Sequence, residues 1–179
     1  MEHSDILRDI KKELRANMNG VASKLMREGG LQYHVNFGIE LPRLQQIAHE
    51  FEPNHQVAQQ LWNENVRESK ILATILMPLD NYHPEVADIW VDEIPNAEIA
   101  SLAVMNLFSR LPYASTLAFQ WIAAENEMRQ LCGFLILARL KRQGGQFNEH
   151  SLLELKDQAE ACFQDASLPL KKAILAATE

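Results

Sequence analysis

A chain of 179 residues with 47% hydrophobic content can bury a substantial core and is read as one domain over 1–179. Its net charge of −7 and isoelectric point near 5.4 exclude a uniformly basic, nonspecific nucleic-acid coat. The two cysteines, Cys132 and Cys162, exclude a disulfide framework and are expected to be buried reduced thiols.

At the N-terminus, Met1–Ile10 is charged and lacks an apolar signal core, and no apolar run approaches a membrane span, so a cytoplasmic protein without membrane contact is expected. Residues 4–17 put Ile6, Leu7, Ile10 and Leu14 on one face at 3.6 spacing, which predicts an amphipathic helix. A second helix over 20–28 ends at Gly29-Gly30, and Leu31–Leu41 is the least helical stretch of this half. Pro42 suits the first turn of a helix that stops before Pro53.

From Asn54 onward the pattern repeats. An aromatic residue closes one apolar segment, a short polar link follows, and a second apolar segment begins. Trp62, Trp90 and Trp121 lie 28 and 31 residues apart and Phe163 follows after 42, the period range of helical-pair repeats. The predicted pairs are 54–63 with 66–77, 84–93 with 96–110, 114–124 with 126–143, and 149–163 with 168–178. Asn54, Asn96, Asn148 and Ser167 are the expected N-caps, and little or no sheet is expected because no segment alternates with period two. The fold class is therefore all-α, a solenoid of stacked helical hairpins, in which each pair covers the apolar face of the next. The tryptophans are expected as wedges in that core, with base stacking the less favoured role.

Second helices such as Met128–Leu140 are apolar nearly all round, and in a helical-pair solenoid such helices line a concave surface. Their few polar members, Lys70, Thr74, Ser101, Asn106, Arg129 and Arg139, are thus candidates for a groove. Charge is uneven along the chain: residues 31–100 carry three basic against eleven acidic side chains, whereas 101–145 carry five against two. A local basic face fits inside the acidic whole. Arg67, Arg129 and Lys171 recur near the starts of second helices, where bonding to acids is the favoured reading and phosphate contact the second.

The stretch Phe37-Gly38-Ile39-Glu40-Leu41-Pro42-Arg43-Leu44, followed by Leu61-Trp62 and Arg67–Ala73, resembles the DNA alkylation repair (AlkD-like) glycosylase family over roughly residues 20–143. The resemblance implies a HEAT-like solenoid whose concave face cradles duplex DNA and releases cationic alkylated purines. It also implies an aromatic side chain and a carboxylate against the damaged nucleotide, because glycosidic cleavage builds positive charge on the sugar and needs an oriented water.

At those positions this chain departs from the pattern. The family's Asn-Trp-Asp with a further Asp falls on Asn96-Ala97-Glu98 and Ser101, and its Trp with paired arginines falls on Glu127–Gln130, leaving Arg129. The resemblance thus implies a retained scaffold with lost glycosylase chemistry. The remaining catalytic candidates are Glu98, one turn before Ser101, and Arg129; the DNA-binding candidates are Arg43, Lys70, Arg129 and Arg139, with Lys141 and Arg142 near them.

His49-Glu50 with His55 is interrupted by Pro53 and does not make the two-histidine zinc helix, so no metal is expected. Gly29-Gly30 and Gly144-Gly145 lack phosphate-loop patterns, so no cofactor is expected either. Two partner readings stand: duplex DNA on the concave face, or another protein held by a noncatalytic scaffold.

Overall fold

The computed structural model describes residues 2–179. Among them are eleven α-helices, one short 3-10 turn and no strand; the isolated bridge Val35–Val66 is the one piece of sheet-like pairing. Packing divides the chain into two compact units, the first ending at Asn81 and the second spanning Tyr82–Glu179.

The first unit holds α1 (His3–Ala16), α2 (Gly20–Glu28), α3 (Leu41–His49), α4 (His55–Trp62) and α5 (Arg67–Leu76). Helix α1 buries Leu7, Ile10 and Leu14, as its periodicity predicts. Asn19 and Asn54 cap α2 and α4, accepting from Ala22 N and Val57 N at 3.0 Å each. Between α2 and α3 the chain is irregular, and Gly38 there adopts φ +73. A Cβ at Gly38 would lie 2.2 Å from Asn19 O and 2.5 Å from Ser23 N, so both backbone conformation and space demand glycine.

The second unit holds α6 (Pro84–Asp92), α7 (Ala97–Asn106), the 3-10 turn Phe108–Arg110, α8 (Ala114–Ile122), α9 (Glu127–Arg142), α10 (Glu149–Phe163) and α11 (Leu168–Thr178). Helix α9 is its axis, packing against α7, α8 and α11 and burying Leu131, Cys132, Phe134, Ile136 and Leu137. Gly133 lets α8 approach: a Cβ there would sit 2.7 Å from Ile122 Cγ2 and 2.8 Å from Ala118 O.

Trp62, Trp90 and Trp121 are all buried, at 0%, 0% and 1% exposure, which gives them to the core. Each such ring removes on the order of 200 Å² from water, worth roughly 5 kcal/mol at about 25 cal/mol per Å². Phe108 packs edge-on against Trp121 and Tyr82 against Trp90, with centroids 5.1 and 5.7 Å apart.

Three expectations need correction. Helix α7 ends at Asn106 and not near residue 110, because Leu107 turns to φ −131, ψ −70 and the chain tightens into the 3-10 turn. Ser167 makes no side-chain cap; Glu127 from α9 instead accepts from Ser167 N at 2.8 Å, and Asn126, unforeseen, caps α9. Cys162 is half-buried, unlike Cys132: it continues the stripe of Leu155 and Ala159 into the last turn of α10, where the helix ends.

Candidate nucleic-acid interface

Helices α7, α9 and α11 each turn one stripe toward a shared groove of about 400 Å³. Ala97 and Ser101 come from α7, four residues apart; Leu131, Leu135 and Arg142 come from α9; Leu168, Pro169, Lys172, Ala173 and Ala176 come from α11. Spacings of three and four residues stack side chains on one helix face, so the groove follows directly from three second helices lying side by side. Its floor is small and apolar. Its ionisable lining residues are Arg142 and Lys172, both exposed, and no carboxylate lines it.

Few of the sequence candidates line this groove. Ser101 and Ala97 lie in it, whereas Glu98 is half-buried and outside its lining. Arg129 faces α6. Its Nε and Nη2 donate to Asp92 at 2.7 Å each, Nη1 donates to Asp88 Oδ1 at 2.9 Å, and Nη2 also reaches Asp88 O at 3.2 Å. Asp88 further accepts from Trp121 Nε1 at 2.8 Å. The hydrogen bond from Arg129 holds the Asp92 carboxyl below its ordinary value, and the same bond holds the guanidinium above its own. With two aspartates on one guanidinium, the local charge is negative, and Arg129 clasps α6 to α9.

Lys70 is 7% exposed; its ammonium donates to Trp62 O at 2.7 Å and lies 4.3 Å from the centroid of the Trp62 ring. A buried ammonium satisfied by a carbonyl and an aromatic face serves the core, and phosphate contact would require it to leave both. Arg67 and Glu68 are likewise buried. Arg43 is partly exposed and donates to Asn17 Oδ1 at 2.8 Å, with Glu13 at 3.7 Å. Arg139 is half-buried with an Nε that is shut from solvent and has no acceptor. Lys141 reaches Ala177 O at 3.4 Å, and Lys171 lies 5.7 Å from the centroid of the Phe163 ring.

The sequence profile of the DNA alkylation repair enzyme family matches residues 10–176. The chain belongs to that family. A solved structure described as a new family of proteins related to the HEAT-like repeat DNA glycosylases, with affinity for branched DNA structures, superposes on it with a TM-score of 0.81 at 18% identity, covering 96% of this chain and 73% of that one. This establishes the HEAT-like all-helical fold. No curated protein matches the sequence.

Within this DNA alkylation repair family member, the cations that line the groove are not those the repeat pattern emphasised. Lys172 carried no motif signal. The available signal was its place four residues after Leu168, on the same second-helix face as Ala97–Ser101 and Leu131–Leu135. Among the described residues no helix is long and apolar enough to cross a membrane, and no group of His, Cys, Asp and Glu side chains comes together as a metal site.

Proposed function

We propose that this family member binds DNA through the α7–α9–α11 groove and does not cleave the glycosidic bond. The observation that supports this reading is the groove's lining: Ala97 and Ser101 at the family's aromatic and carboxylate positions, two exposed cations, and no acid. An oxocarbenium-like sugar has nothing there to stabilise it and no base there to orient water. Arg142 and Lys172 supply the phosphate attraction, with Arg43 as a further half-exposed cation in the first unit. Since the structural neighbour is described as having affinity for branched DNA, junctions and flaps belong in the test beside plain duplex.

The test combines a binding titration over a salt series with an assay for release of methylated purine. Affinity is expected to fall linearly with log salt, the slope shrinking by about 2 in the Arg142→Ala, Lys172→Ala double variant. No purine release is expected. Absence of binding even at low salt would sink the reading and favour a protein partner, while release by the unmodified protein would show that another carboxylate, Glu98 first, carries the chemistry.

A further inference from the structure

Resting on that DNA-binding reading, we infer that the groove takes the terminal phosphate of a DNA strand end, with the end nucleotide's sugar on its apolar floor. The first ground is the sign of the charge. A pocket for a cationic purine needs an acid, yet this lining offers only Arg142 and Lys172 as ionisable groups. A cation entering would meet like charges, and an anion would meet opposite ones.

The second ground is the amount of charge. Two cations match a phosphomonoester, which carries about −1.5 to −2 at neutral pH, better than an internal phosphodiester with its single charge. Both cations are uncommitted. Arg129 makes four hydrogen bonds to α6, whereas neither Arg142 nor Lys172 has an ion-pair partner among the described residues. Arg142 offers a planar fork and Lys172 a point charge, and Ser101, from the third helix, adds a hydroxyl that can donate to a phosphate oxygen.

The third ground is room. Ala97, Ala173 and Ala176 leave about 400 Å³ between the helices, enough for a terminal nucleotide and far too little for a duplex segment. A strand end enters such a recess more readily than a continuous backbone, which would have to bend sharply in and out.

The experiment measures anisotropy of matched flap and duplex DNAs that differ only in a terminal phosphate or hydroxyl, using the full chain. Phosphorylated ends are expected to bind roughly tenfold tighter. That preference should vanish in Arg142→Gln with Lys172→Gln and in Ser101→Asp, and persist in Lys172→Arg, with helicity by circular dichroism confirming that each variant is folded. It should also fade as the pH drops from 7.5 to 5.5, because the second phosphate proton returns near pH ~6. Equal affinity for both ends with salt-dependent binding intact would overturn the strand-end assignment and leave DNA binding standing. A deoxynucleoside monophosphate that binds as tightly as the DNA end would overturn it too, by showing a free nucleotide to be the ligand. Failure of every DNA to bind at low salt would instead sink the DNA-binding reading, and this inference with it.

Discussion

The two units both place an arginine near the start of a second helix beside acids, and they use it in opposite ways. In the first, Arg67 and Glu68 are 3% and 0% exposed. Arg67 Nη1 donates to Glu68 Oε1 at 3.0 Å and to Ile39 O at 2.9 Å, while Glu68 accepts from Phe37 N at 3.0 Å and Ile39 N at 3.3 Å. The pair therefore supplies hydrogen bonds to an irregular segment that has no helix to satisfy them. In the second unit Arg129, Asp88 and Asp92 retain 25%, 42% and 50% side-chain exposure and join two regular helices. The same residue type is thus a structural necessity where it is dry and a modest clasp where it is wet, because desolvation sets the cost of leaving a charge unpaired.

Removing the buried partner is the most damaging way to probe this contrast. Arg67→Ala removes the buried ion-pair partner of Glu68 and is expected to cost about 3–5 kcal/mol in urea unfolding. A loss under about 1 kcal/mol would mean that water reaches Glu68 readily and that the two clasps do not differ in kind. Next is Gly38→Ala, which imposes both a left-handed φ and a backbone clash; about 3 kcal/mol is expected, with faster amide exchange at Phe37 and Ile39. A near-neutral result would show that the segment can be repacked around the pair.

Arg129→Ala should cost less, about 1–2 kcal/mol, and should loosen α6 against α9 as seen by exchange of their amides. If it proves as costly as Arg67→Ala, exposure is not what separates the two units. The smallest effect is that of pH. Since Asp92 is held below its ordinary value in the fold, its stabilisation is present above the unfolded aspartate range and is lost as pH falls through that lowered folded value. With the side chain half exposed, the loss is expected to stay below about 1 kcal/mol, and Asp92→Asn should remove that part of the acid dependence. An unchanged acid limb in Asp92→Asn would assign it to other carboxylates.

Much of the architecture was legible. Helical boundaries lie within a few residues of those expected, and the caps Asn54, Asn96 and Asn148 accept from Val57 N, Ile99 N and Ser151 N as their types suggest. Repeat-locked tryptophans were readable as core because large rings at fixed repeat positions serve packing between hairpins. The candidate groove was half legible. Ala97 and Ser101 were singled out by resemblance, and they do lie on one face. Arg129 bonds to Asp88 and Asp92, as the favoured reading of its position expects, whereas Lys70 looked like a groove cation because a lysine in sequence carries no mark of whether a carbonyl and a ring already hold its ammonium.

By itself, then, the sequence determined the helical hairpins, their order and the family, because periodicity, capping and turn chemistry act over a few residues and are written locally. Which cations reach solvent was decided only by tertiary structure. Exposure is a property of neighbours: α5 is buried even in its charged first turn, Arg129 meets aspartates 37 and 41 positions away, and Lys172 meets Ser101 and Arg142 at one groove only once three helices lie side by side.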